Sequence, residues 1–120
     1  MGCDIHFCVE RRMPDGSWSA VMNRGLEWEM DRNYELFGRL AGVRCRERVI
    51  AEPRGIPADV SNVVRREYDG WGVDGHSASW LTLRELRDGI GADDFRQTMA
   101  QMGQIDMDPD RVRAVFWFDN

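Results

Sequence analysis

The two histidines of this chain both occur in an Asp-x-His motif. The motif is found at Asp4 and His6, near the beginning of the sequence, and again at Asp74 and His76, past its middle. Because side chains alternate between the two faces of a strand, Asp4 and His6 point to the same side if the first motif is extended. Two carboxylates and two imidazoles suit Zn, Mn or Fe in a site of mixed nitrogen and oxygen ligands. We therefore predict that these four side chains form one cluster, which is either a divalent metal site or a hydrogen-bonded structural network.

Two neighbours of the second motif are candidate binding residues, and the same region could supply a nucleophile. Ser77 follows His76 directly, and Trp71 precedes the motif. A histidine could activate Cys3, Cys8 or Ser77 as a nucleophile. The alternation predicts that Cys3 faces the core, which disfavours it. Spacing alone identifies no known triad, so the sequence assigns no catalytic residue.

The stretch around the second motif leads directly into a helix. Gly72–Ser79 is predicted to be a loop, held between the bulky side chains of Trp71 and Trp80. Thr82 and Glu85 have the spacing of a capping box, in which each side chain bonds the backbone amide of the other residue. Polar groups on a loop between rigid elements suit binding or catalysis.

Two strands are expected at the ends of the chain. Cys3–Arg12 alternates between apolar and polar residues and is predicted to be a half-buried strand, followed by a turn at Pro14–Gly16 and a returning strand over Ser17–Met22. Its inward side would be Cys3, Ile5, Phe7 and Val9, and its outward side Asp4, His6, Cys8 and Glu10. Arg111–Asp119 is nearly apolar on both faces, so we predict a central strand that pairs with the first.

Three more helices complete the predicted fold. They run from Asp31 or Asn33 to Ala41, from Asp59 or Ser61 to near Gly70, and from Ala92 to Met102. In the second helix, the residues expected to face inward are Val60, Val63, Val64 and Tyr68. Val43–Ile50 is either an edge strand or a polar loop. The prediction is one α+β domain over residues 1–120, with a small, mostly antiparallel sheet and three or four short helices.

Composition excludes some classes of function. The chain has 21 acidic residues against 16 basic ones, a net charge of -5, and every basic residue is arginine. An acidic protein of this kind is not expected to bind nucleic acid in general, but it can bind a basic partner. Three cysteines form no disulfide framework, and no signal peptide or long apolar run is present, so we expect a reducing, cytoplasmic compartment and no membrane contact.

Three segments of the chain are similar to a known group of proteins. Met1–His6 (MGCDIH), Trp71–Leu83 (WGVDGHSASWLTL) and Val112–Asn120 (VRAVFWFDN) resemble small, largely uncharacterised proteins of tailed bacteriophages and prophages. The resemblance implies an accessory phage protein that acts in the cytoplasm of the infected bacterial host. The group has no assigned reaction, so the resemblance transfers no catalytic residue.

Two functions from different classes follow from these observations. The first is a counter-defence protein of the anti-CRISPR kind, a host-defence inhibitor that binds a host protein or ribonucleoprotein complex through an acidic surface. The second is a small metal-dependent hydrolase that acts on a nucleotide or phosphoester through the paired Asp-x-His motifs. The phage resemblance and the charge favour the binder, whereas the motifs favour the enzyme.

Overall fold

A four-stranded antiparallel sheet organises the residues described by the computed structural model, which are 2–21, 27–90 and 95–120. Its strands are β1 (Asp4–Arg12), β2 (Trp18–Val21), β3 (His76–Thr82) and β4 (Val112–Asp119), in the order β2-β1-β4-β3. The first and last strands pair as predicted. The α+β class, the antiparallel sheet and the central position of the last strand are therefore confirmed.

Four α-helices lie in the described residues: α1 (Tyr34–Ala41), α2 (Asn62–Trp71), α3 (Leu83–Gly89) and α4 (Arg96–Gly103). Side-chain caps begin three of them, as the sequence predicts. Asn33 and Ser61 each accept a hydrogen bond from a backbone amide in the first turn of α1 and α2, and Thr82 and Glu85 form the complete capping box of α3. None of these described helices is long and apolar enough to cross a membrane.

One face of the sheet is apolar and well covered. The side chains of Ile5 and Phe7 from β1 and of Phe116 and Phe118 from β4 belong to its core. Three helices pack over this face and contribute buried residues, which are Leu36, Phe37 and Leu40 from α1, Leu83 and Leu86 from α3, and Met102 from α4. This apolar face holds most of the buried hydrophobic side chains of the described chain.

The other face of the sheet is mixed in character and is covered by α2. Its apolar cluster is small, with Val64 from α2 above Val115 and Trp117 of β4. Beside this cluster lies a buried ion pair, in which Arg113 donates from Nε to Glu10 at 2.7 Å. Glu10 was expected to point to solvent, but it is fully buried because α2 covers this side of β1.

The central stretch differs most from its prediction. Gly72–Asp74 forms a 3₁₀ turn and Gly75 has no regular structure, and the chain then forms β3 from His76 onward. A bulge between His76 and Ser79 shifts the register against β4, which interrupts the alternation that would mark a strand in the sequence. The predicted loop over Gly72–Ser79 is therefore wrong for its second half.

Smaller differences concern the polar segments. Val43–Ile50 is a loop, which was one of the two alternatives for it. Val63 was expected to face inward, but it is 62% exposed because only Val64 of α2 is buried against the sheet. The predicted strand end at Met22 and the predicted helix start at Ala92 lie outside the described residues.

Candidate functional site

His6 lies at one end of the mixed face, in contact with aromatic rings and a carboxylate. Its Nε2 atom is 2.7 Å from Oδ2 of Asp119, the last residue of β4. Its ring is 4.1 Å from the Trp71 ring and 5.8 Å from the Trp117 ring, measured between centroids. Whenever the imidazole carries a proton, this contact becomes an ion pair in partly buried surroundings. The partner of His6 is therefore Asp119 and not a carboxylate of either Asp-x-His motif.

His76 lies at the same end of the sheet, on the edge strand β3. Its Nδ1 is 3.0 Å from Oγ of Ser77, and its Nε2 is 3.3 Å from Oδ1 of Asn120. The ring also contacts Phe118, its register partner on β4, at 6.2 Å between centroids. Both ring nitrogens of His76 therefore have a side-chain oxygen within hydrogen-bond distance.

The two histidines contact oxygen atoms other than those of the motif aspartates. Asp4 accepts a hydrogen bond from Arg32 at 3.1 Å. Asp74 lies in the exposed 3₁₀ turn between α2 and β3. In the part of the chain that the structure describes, no three His, Cys, Asp or Glu side chains are grouped so that they could hold a metal ion.

Sheet geometry explains why the two histidines do not share an ion. β4 lies between β1 and β3, and neighbouring strands are ~4.7–4.9 Å apart, so the two backbones are separated by roughly twice that spacing. Opposed residues of an antiparallel pair lie on the same face. His6 is opposite Trp117 and therefore belongs to the mixed face, whereas His76 is opposite Phe118 and belongs to the apolar face. The four residues do not fit a common Zn, Mn or Fe site, and we derive no chemistry through a metal.

The three candidate nucleophiles have different surroundings. Cys3 is fully buried in the apolar core, and burial raises the pKa of its thiol, which disfavours the reactive thiolate. Cys8 is half-buried beside the mixed cluster. Ser77 is partly exposed, contacts a histidine, and has a φ of +54°, in the left-handed region that non-glycine residues rarely adopt. Ser77 is therefore the candidate that the geometry places beside a base.

A second surface feature lies at the carboxyl end of α2. Trp71 lines a shallow groove there with Val63, Arg66, Glu67 and Gly70. The next turn exposes Val73 completely. A helix presents partial negative charge at its carboxyl end, and α2 has no basic residue in its last turn to offset it. This end of α2 therefore combines exposed apolar groups with negative potential.

The carboxylates around this turn have no cationic partner. Within the described residues, Glu67, Asp69 and Asp74 form no ion pair, in contrast to Asp106 and Asp110, which bind arginines. We define the α2 acidic surface as the exposed side chains of Val63, Glu67, Asp69, Val73 and Asp74. Unpaired carboxylates keep their full charge available for a partner.

The sequence did not single out Asp119 and Asn120, which supply the oxygen partners of the two histidines. They are 113 and 44 positions away from His6 and His76, respectively. The available signal was that two polar residues follow the apolar run Ala114–Phe118. Once that strand is paired with β1 and β3, its polar end must lie beside both histidines.

Comparison with known proteins gives no independent assignment. No protein-family model, curated protein or solved structure matches the chain. The similarity to phage and prophage proteins stays a prediction from the three sequence segments.

Proposed function

We propose that this protein is a phage-encoded counter-defence protein of the anti-CRISPR kind, an inhibitor that binds a host nucleic-acid-handling complex. The observation that carries the proposal is the α2 acidic surface, where carboxylates without an ion-pair partner among the described residues accompany the fully exposed Val73. A nuclease complex has cationic channels that normally hold nucleic acid. An acidic surface with an apolar centre is complementary to the rim of such a channel.

The distribution of charge on the chain supports this surface over the others. Several arginines on the rest of the molecule are neutralised by carboxylates, such as Arg84 by Asp110 and Arg32 by Asp4. At the α2 acidic surface the carboxylates are unpaired and lie at the negative end of a helix. No described arginine forms an ion pair with these carboxylates, and one positive charge, that of the exposed Arg66, lies in the adjacent groove.

The test is binding to purified host RNA-guided nuclease complexes, with a charge reversal and a matched control. Asp69→Arg with Asp74→Arg reverses two carboxylates of the α2 acidic surface. Asp31→Arg with Asp88→Arg makes the same change in net charge at exposed positions next to α1 and in α3, the helices of the apolar face. We expect the first pair to weaken binding by about tenfold or more, which corresponds to ~1.4 kcal/mol, and the second to have little effect.

Salt dependence provides a second readout. Affinity of the parent protein should fall as ionic strength rises, because exposed charges are screened over about 8–10 Å at moderate salt. Equal losses in both double variants would show that net charge alone matters and would reject the α2 acidic surface as the interface. Failure of the parent to bind any such complex at low salt, together with no protection of phage in cells that express one, would reject the function.

A further inference from the structure

We propose that Ser77, His76 and Asn120 form a nucleophile, base and positioning residue for acyl transfer from a carboxylic ester. The three side chains form one hydrogen-bonded chain from Ser77 Oγ through both nitrogens of the imidazole to Asn120 Oδ1, with distances of 3.0 and 3.3 Å. A nucleophile next to a base that is oriented by a third group is the arrangement that activates serine in hydrolytic enzymes. This site shares no residue with the α2 acidic surface.

The role of Asn120 follows from its chemistry as an acceptor. Its Oδ1 accepts a hydrogen bond from Nε2, so that nitrogen of the neutral ring carries the proton. The other nitrogen, Nδ1, is then left with a free lone pair that faces the Ser77 hydroxyl. Asn120 therefore selects the tautomer of His76 that can accept a proton from Ser77.

The backbone conformation of Ser77 supports a functional role for its contact with His76. Its φ of +54° is unfavourable for a residue with a side chain, and it falls within the bulge of β3. Strained φ values at non-glycine residues cluster at active sites, and a serine on a sharp turn presents its hydroxyl outward. Ser77 is partly exposed, so an ester can reach Oγ.

Rigid neighbours fix the position of the base. The His76 ring packs on Phe118, and the preceding Gly75 is so close to the aromatic cluster that a Cβ there would be 3.3 Å from Trp71 Cβ and 3.4 Å from Trp117 Cδ1. The chain before His76 is therefore closely packed against these aromatic side chains. A base held in this way loses less orientation entropy when it reacts.

The proposed reaction is a two-step ester hydrolysis. Ser77 Oγ attacks the carbonyl carbon and forms a C–O bond, while its proton passes to His76 Nδ1. The bond from carbon to the leaving oxygen then breaks, and the alcohol departs with the proton from Nδ1, which leaves an acyl group on Ser77. Water next attacks the acyl carbon and gives a proton to Nδ1, and Ser77 leaves with that proton. The products are a carboxylic acid and an alcohol, and the protein is regenerated.

The experiment uses p-nitrophenyl acetate as the probe and the full chain as the catalyst. We expect a burst of p-nitrophenol equal to the amount of protein, and an acetyl group on Ser77 when the intermediate is trapped and digested. Ser77→Gly should abolish the burst and remain folded, because glycine adopts the positive φ freely. His76→Gln should slow acylation by about 10²- to 10⁴-fold, the usual contribution of a general base.

Two variants of Asn120 and one control variant separate positioning from folding. Asn120→Ala should lower kcat with little change in KM, and Asn120→Asp should restore the rate, because a carboxylate also accepts from Nε2. Ser17→Ala, at an exposed turn serine that contacts Asp15, should behave like the parent. A burst that survives in Ser77→Gly, acetylation found on another residue, or hydrolysis no faster than in buffer would each overturn the proposal.

Discussion

The two faces of the sheet differ in the side chains that they bury. The apolar face carries Phe7, Phe116 and Phe118 under three helices, and its side chains are almost all hydrocarbon. The mixed face carries a buried ion pair, several half-buried aromatic rings and a single helix, α2. Both faces share the same two central strands, so the difference comes from the alternate side chains and from what covers them.

This difference indicates which face contributes most to the stability of the fold. The favourable free energy gained on folding is roughly proportional to the apolar area that is buried, at about 25 cal/mol per Å². The apolar face buries most of the hydrophobic side chains, so it supplies most of this free energy. The mixed face buries fewer apolar groups and attaches α2 partly through polar contacts, such as the hydrogen bond from the Ser61 amide to Glu10. The helix that bears the α2 acidic surface therefore has only one fully buried apolar side chain, that of Val64.

The largest expected effect is the loss of an aromatic ring from the apolar face. Phe116→Ala should lower the free energy of unfolding by about 3–5 kcal/mol, because it removes a fully buried ring and leaves a cavity. Val64→Ala, on the mixed face, removes two methyl-sized groups and should cost only roughly 1–2 kcal/mol. Urea denaturation of both variants tests this. Equal losses would contradict the division between the faces.

The next effect concerns the buried ion pair. Glu10→Leu leaves the Arg113 guanidinium buried with only Asp59 as a carboxylate partner, and should cost about 3 kcal/mol, at the lower end for a broken buried pair. The double variant with Arg113→Met replaces both charges by apolar groups and should recover most of that loss. Thermal and urea unfolding measure both. If the double variant is as unstable as the single one, the pair is not the reason for the loss.

Local signals predicted a large part of this fold. Period-two alternation identified β1 and the doubly buried β4. Capping patterns placed the beginning of α3 at Thr82 and limited those of α1 and α2 to two candidates each, of which Asn33 and Ser61 are the observed caps. These features depend on residues within three or four positions of one another. Patterns among residues close together in the sequence therefore sufficed to predict these strands and helix starts.

The features that could not be predicted depend on distant parts of the chain. The burial of Glu10 depends on α2, which begins more than fifty positions later, as the contact between Glu10 and Ser61 shows. β3 was missed because its bulge at Ser77 breaks the alternation. The partners of the two histidines lie at the end of β4. Each Asp-x-His motif places an aspartate near a histidine in the sequence, but strand pairing determines which oxygen atoms the histidines contact.

A smaller effect compares equivalent caps on the two faces. Ser61→Ala and Thr82→Ala each remove an N-cap and should each cost about 1 kcal/mol locally. Because α2 buries only Val64, loss of its cap should increase amide hydrogen exchange within α2 while the urea midpoint stays nearly constant. α3 buries Leu83 and Leu86 in the main core, so Thr82→Ala should lower the midpoint itself. A lower midpoint in both variants would mean that α2 unfolds together with the core.

The smallest effect concerns the contacts of Arg54 with Trp80 and Glu85 at the edge of β3, which we call the clamp. Arg54 lies over the Trp80 ring of the mixed face at 4.7 Å and donates two hydrogen bonds to Glu85, in the first turn of α3. The Arg54 guanidinium, more than the capping-box contacts with Thr82, lowers the pKa of the Glu85 carboxyl below its usual value. The folded state therefore binds this proton less readily than the unfolded chain does.

The sign of the pH dependence follows from this lowered pKa. The contribution of the clamp to stability is complete above the ordinary pKa of glutamate, about 4.3, and is lost as pH falls through the lower folded value. Glu85→Gln keeps an acceptor that suits the capping box but has no charge for Arg54. We expect the parent to have the higher urea midpoint at pH 7, and the gap between parent and variant to close as the pH falls below about 4. Comparing the two proteins at each pH cancels the titration of all other carboxylates. A gap that stays constant with pH would show that the charge of Glu85 contributes nothing, and that Arg54 stabilises the edge of β3 through Trp80 alone.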